Sequence, residues 1–161
     1  RAVAQRRGAD FGGRAEDRPA RCRHDRATAD VLTGAAVAIY TIAGGRILLW
    51  GLIGEVTTIL SAGTTPDAKF QSNPTTGTTT DLCATSSVAS DEDGTLYAMT
   101  GVPADALLTS SSGGVRDGLW GNPIVIPIGA IEFICDENIT GSISFQCWWM
   151  PLDDGATLVA A

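Results

Sequence analysis

The sequence predicts an all-β fold, an antiparallel β-sandwich or barrel with an extended N-terminal arm. Three observations carry this expectation. Apolar residues recur at a period of two nearly everywhere after Thr33, turn signals return at short intervals, and no stretch shows the 3.6-residue period of an ordinary helix. Charge is also split along the chain. The first 26 residues hold eight arginines against four acids, a net +4, whereas the remainder holds three basic residues against fourteen acids, a net −11. The 161 residues therefore divide into a basic arm, residues 1–28, and one β-rich domain, residues 29–161.

The arm has no large apolar residue between Phe11 and Val31, so it has too little to bury for a core of its own. Arg6, Arg7, Arg14, Arg18, Arg21, Arg23 and Arg26 are its candidate partner-binding residues. Mixed with acids, these arginines suit carboxylate pairing on a protein surface better than tracking of a phosphate backbone. No aromatic residues interleave to stack on bases, and the domain that follows is acidic, so nucleic acid is not the expected partner.

Within the domain, Val37-Ala38-Ile39-Tyr40-Thr41-Ile42 is rich in β-formers and ends at the tight-turn signal Gly44-Gly45. Residues 46–60 read as a long strand with a break, for which Gly51 and Gly54 are candidate bulges. Its first half, Ile47 to Ile53, is apolar on both faces, as in a strand covered twice. This run is too short to span a bilayer as a helix, so no membrane association is expected. Residues 61–80 are polar and read as a long loop or edge hairpin. Residues 81–84 and 95–99 are short strand candidates around the acidic turn Asp91-Glu92-Asp93-Gly94. Residues 103–108 could form one helical turn, and residues 110–121 read as flexible Ser/Gly loop.

The last third alternates most clearly, through Ile124, Ile126 and Ile128, then Ile131, Phe133 and Cys135, then Ile143, Phe145, Cys147 and Trp149. Pairing Cys135 with Ile143 sets Phe133 opposite Phe145 and makes Asn138-Ile139-Thr140-Gly141 the turn of a hairpin. In that register Cys135 and Cys147 stand roughly 13 Å apart along the strands. A disulfide needs Cα atoms within about 7 Å, so reduced, buried thiols are expected.

Chemistry-bearing motifs are sparse. His24 is the single histidine, within Cys22-Arg23-His24-Asp25, and no second ligand pair lies near it to complete a zinc set. With one histidine on an arm, a nucleophile and its positioned base are not expected either. The carboxylate clusters Asp91/Glu92/Asp93, Asp136/Glu137 and Asp153/Asp154 sit in turn-like contexts and read as solvated turns. No catalytic, cofactor-binding or metal-binding residues are assigned, and no cofactor is expected. In Cys147-Trp148-Trp149-Met150, an inward Trp149 turns Trp148 and Met150 outward. With Leu49 and Ile53 these form the candidate oligomer interface, because buried aromatic anchors dominate contact energetics.

Taken together, Tyr40-Thr41-Ile42-Ala43-Gly44-Gly45-Arg46, Gly54-Glu55-Val56-Thr57-Thr58, Asn73-Pro74-Thr75-Thr76-Gly77, Asp81-Leu82-Cys83 and Pro151-Leu152-Asp153-Asp154-Gly155-Ala156 resemble small β-rich virion proteins of tailed bacteriophages, with the head decoration (cement) proteins as the nearest functional class. The resemblance covers residues 31–161 and leaves out the arm. It implies a non-enzymatic structural protein on the outer capsid surface of the virion, a homotrimer clamping subunits of the major capsid protein. Two other classes are weighed against it. A carbohydrate- or receptor-binding β module of a phage tail or fibre would use exposed Trp148 as a sugar platform. A carboxylate-based glycosidase would need two acids converging in a cleft.

Overall fold

The computed structural model describes residues 22–26 by their backbone, and residues 34–61, 65–111 and 113–161 in full. Twelve strands supply nearly all of its regular structure: β1 (Cys22–Arg26), β2 (Ala36–Ala43), β3 (Ile47–Ser61), β4 (Asp67–Pro74), β5 (Thr80–Asp81), β6 (Ser86–Ser87), β7 (Leu96–Ala98), β8 (Leu108–Ser110), β9 (Ile124–Ile126), β10 (Gly129–Cys135), β11 (Thr140–Pro151) and β12 (Thr157–Ala160). The single helical element among the described residues is a 3-10 turn, Gly118–Trp120. The first sheet runs β1-β11-β3-β7-β8 with β9 also on β3, and the second runs β12-β2-β10-β4-β5 with β6 also on β4. Their named strand pairs are all antiparallel, and the two sheets pack face to face as an all-β sandwich.

The period-two pattern dictates what lies between the sheets. Ile131, Phe133 and Cys135 of β10 and Ile143, Phe145, Cys147 and Trp149 of β11 all turn inward and are buried. Phe70, Phe133 and Phe145 form an edge-on and tilted aromatic cluster with centroids 5.1–6.0 Å apart, and Tyr97 stacks on Phe133 at 6.1 Å. Tyr40 of the second sheet donates its hydroxyl to the carbonyl of Phe145 in the first, 2.9 Å away. A buried hydrogen bond therefore crosses the apolar layer and keeps the phenol satisfied.

Gly54 makes this core possible. It lies opposite both Phe145 and Tyr97, and a Cβ there would stand 3.1 Å from one ring and 3.3 Å from the other. One of the bulges of β3 lies four residues earlier. The register slips between Trp148 and Trp149, leaving Trp50 as the extra residue beside Gly51. Leu49 and Leu52 consequently both face the core, although their spacing is odd.

Several expectations are corrected. β10 and β11 do not form a hairpin. β10 pairs with β2 and β4, and β11 pairs with β3 and β1, so the chain crosses between sheets where the turn was expected. Cys135 and Cys147 form no disulfide because they sit on opposite sheets, not because of the register argued from the hairpin. For the polar stretch 61–80 the long-loop alternative fails and the edge hairpin holds: β4 turns back into β5 at the end of the sheet, with β10 on its other side. The 81–84 strand shrinks to β5, and residues 103–108 form no helical turn. The helical turn lies instead within the stretch read as flexible loop, at Gly118–Trp120.

Arg23 and Arg26 fall within β1, whose backbone lies along β11 with Arg23 opposite Trp148 and Arg26 opposite Phe145. The first sheet therefore reaches into the segment assigned to the arm. Arg6, Arg7, Arg14, Arg18 and Arg21 lie outside the described residues.

Candidate functional site

Several acids of the domain have structural partners. Asp91 accepts the Tyr97 hydroxyl at 2.6 Å, Asp136 accepts the backbone N–H of Asp67 at 2.8 Å, Asp81 takes the Lys69 ammonium at 2.8 Å, and Asp153 takes Arg46. The Tyr97 hydroxyl is pushed far above its ordinary range by burial and by the adjoining Asp91. Glu132 alternates to the outer face of the second sheet yet is only 7% exposed, its carboxyl gripped by the amides of Gln71 and Asn73. Among the described residues no three His, Cys, Asp or Glu side chains converge as metal ligands. No helix among them is long and apolar enough to cross a membrane.

The outer face of the first sheet has a different character. Its rows follow from the β11–β3 register: Met150 beside Leu48, which pairs with Val125 of β9, then Trp148 beside Gly51, then Gln146 beside Ile53. Leu48, Trp50, Ile53, Trp148 and Met150 are half-buried, and Val125 is 50% exposed. Ile53, Trp148 and Met150 thus turn outward as expected. Leu49 does not: it is fully buried between the sheets, because its position precedes the bulge and alternates inward, and it leaves the surface set.

Two further tryptophans complete this face. Trp50 and Trp120 stack with centroids 6.1 Å apart and planes 10° from parallel, and Trp148 lies 6.4 Å from Trp120, tilted by 48°. Trp120 remains 57% exposed. The turn that presents it is pinned from below. Asp117 accepts the backbone N–H of Leu52 and of Leu119, both at 3.0 Å, so one carboxylate ties the bulged strand to the 3-10 turn. Burial raises the Asp117 pKa, opposed by those two N–H donors. Leu119 is buried in the core, and the Gly118 N–H donates to the carbonyl of Met99 at 2.8 Å. Gly118 has no room for a side chain, since a Cβ would lie 2.5 Å from the Thr100 carbonyl oxygen.

Beside Trp120 opens a cleft of about 520 Å³ bordered by Thr100, Leu108, Arg116, Asp117 and Asn122. A second groove, about 580 Å³, runs between residues 72–82 and 123–127 and is walled mainly by Thr, Gly and Pro. Sequence reasoning picked out Trp148 but missed Trp50 and Trp120. The available signal was Asp117 placed directly before Gly118-Leu119-Trp120, an N-cap arrangement that argues against a structureless loop. Compared with known proteins, the chain matches no family, no curated protein and no solved structure.

Proposed function

We propose that the chain is a structural module of a tailed-phage virion, a decoration protein that trimerises on the outer capsid surface and clamps subunits of the major capsid protein without catalysis. The observation that carries this reading is the outward apolar stripe Met150–Leu48–Val125, running across three adjacent strands of the first sheet. With Ile53 and Trp148 it offers a contiguous, part-exposed apolar face of the kind that docks on another protein surface. A sandwich locked between its layers by aromatic packing and the Tyr40–Phe145 bond suits a rigid reinforcing role. The resemblance of short phrases to small phage β-proteins supports the virion context, and the arginines of residues 1–21 would add a salt-sensitive contact to acidic coat surface.

The test is reconstitution on purified capsids that lack the protein. Saturable binding, with trimers seen by cryo-EM at positions of local three-fold symmetry, is the expected result. Val125→Asp with Met150→Lys should abolish it while leaving circular dichroism unchanged. Removing residues 1–21, which spares β1, should weaken binding most at moderate salt. Capsids that bind neither form, or that bind the double variant as well as the native chain, would sink the reading.

A further inference from the structure

We propose that the cleft beside Trp120 is a binding site for a neutral saccharide, with the open side of the Trp120 indole as its stacking platform. This assignment stands apart from the virion reading and holds wherever the module is mounted. It begins with exposure. Trp120 is 57% open to solvent, more than any other large apolar residue described as exposed. A tryptophan in that position loses favourable burial, so the usual packing explanation fails for it. It is also not a loosely tethered side chain. Its ring stacks on Trp50 at 6.1 Å, and its turn is tied down by the Asp117 carboxylate and the Gly118–Met99 backbone bond. The Asn122 side chain closes the same loop by donating to the Thr100 carbonyl at 3.2 Å. The platform is therefore set in place before a ligand arrives, which removes much of the ordering cost of binding.

The surroundings select the ligand class. The cleft volume of about 520 Å³ lies inside the range of roughly 300–1,000 Å³ found for small-ligand sites. Its border combines a guanidinium, a carboxylate, an amide and a hydroxyl, from Arg116, Asp117, Asn122 and Thr100. Among the described residues Arg116 makes no ion pair, and it borders the cleft with a side chain that carries five N–H donors. Donors and acceptors arranged around one aromatic plane match a pyranose. Its C–H face is electropositive and sits on the electronegative face of an indole, while its hydroxyls both donate and accept. An apolar ligand would cover Arg116 without pairing its guanidinium. An anionic one would meet Asp117 and a domain with fourteen acids against three basic residues.

The full-length chain should be screened on an array of neutral and acidic glycans. Any hit is then titrated by calorimetry, with soluble gluco-, manno- and N-acetylglucosamine oligosaccharides as probes and a proline-rich peptide as the competing class. The expected result is weak, saturable binding of at least one neutral oligosaccharide. Trp120→Ala should weaken it about fivefold, which corresponds to on the order of 1 kcal/mol of stacking at 1.4 kcal/mol per factor of ten. Arg116→Gln should weaken it less, and both variants should keep the native circular dichroism spectrum. The proposal is overturned if no neutral saccharide binds, if Trp120→Ala binds as the native chain does, or if only acidic glycans or the peptide bind. Capsid reconstitution is read through Val125 and Met150 and saccharide binding through Trp120 and Arg116, which the two sets of variants change separately, so either reading can fail while the other stands.

Discussion

Arg46 grips Asp153 through three donors at once. Its Nε donates to Oδ2 at 2.8 Å, its Nη2 to Oδ1 at 2.7 Å, and its own backbone N–H to Oδ2 at 2.8 Å. The Leu152 N–H returns to the Arg46 carbonyl at 3.0 Å, so the β2–β3 turn is fastened to the turn before β12. Gly44 and Gly155, both at positive φ, let the two turns touch: a Cβ on Gly44 would fall 2.1 Å from the Gly155 carbonyl oxygen.

These bonds from Arg46 hold the Asp153 carboxyl well below the ordinary carboxylate range. A depressed folded pKa contributes stability that is present above the unfolded value and lost as pH falls through the folded one. The stability gap between the native chain and Asp153→Asn should therefore stay constant from neutral pH to about pH 5, then shrink below about pH 4. Urea melts across that range check it. A gap that does not change down to the lowest pH at which the protein still folds would show that the pair is not coupled to folding.

The thiols of Cys83, Cys135 and Cys147 are buried and form no disulfide. Burial pushes the Cys83 thiol up to about 11, against the opposing N–H of Phe70 at 3.4 Å, and it also raises Cys135. Thiolate is the reactive form, so at neutral pH these groups should label far more slowly than a free thiol. Labelling with an aromatic disulfide in native buffer, then in guanidinium, should show these three thiols appearing only on unfolding. Rapid native labelling of any of them would contradict the burial described.

Alternation in β10 and β11 correctly marks Phe133 and Phe145 as inward residues, but it says which side faces the core and not which sheet carries the strand. Adjacent strands and facing strands satisfy the same pattern. Phe133 and Phe145 meet across the interior, 5.5 Å apart. One residue in the presumed turn carried the missing information. Ile139 is buried, which suits a segment passing between sheets and not the tip of a hairpin. β4 was illegible for another reason: its inward positions are Ala68, Phe70 and Ser72, only one of them large. β1, Cys-Arg-His-Asp-Arg, has no strand pattern at all, and its place along β11 is a matter of main-chain pairing. The tryptophan cluster escaped notice because Trp50, Trp120 and Trp148 are distant in sequence and meet only through the bulge and the Asp117 clasp.

Gly51 should prove irreplaceable in that cluster. A Cβ there would lie 2.8 Å from Cε3 of Trp148 and 3.2 Å from Oδ2 of Asp117. Gly51→Val must displace the indole, the carboxylate or both, loosening the turn that presents Trp120. We expect a loss of about 1–3 kcal/mol, typical of overpacking, with reduced near-ultraviolet circular dichroism and little change in the far-ultraviolet. Saccharide binding, where found, should fall with it. A variant with the native tryptophan spectrum would mean that the face tolerates bulk and that the close approach of Trp148 is incidental.

The sharpest stability test concerns Glu132. Its Oε2 accepts the Gln71 amide at 2.6 Å and its Oε1 the Asn73 amide at 2.8 Å, with Gln71 itself buried. β4 and β10 are already paired at Gln71 and Glu132, so the side chains add a second, polar clasp to the same rung of the ladder. Glu132→Ala strands two amide donors, one of them out of reach of water, and should cost about 1–3 kcal/mol. Glu132→Gln should not restore stability, because its own NH2 must face one of those donors. Replacing both partners removes the unmet groups together, so Glu132→Leu with Gln71→Leu should be more stable than Glu132→Ala alone. Denaturant midpoints at unchanged slope report these differences directly, and a double-mutant cycle isolates the pair. If the double replacement is the least stable of the set, the clasp contributes more than satisfaction of buried donors, and the account of Glu132 as a self-contained polar knot fails.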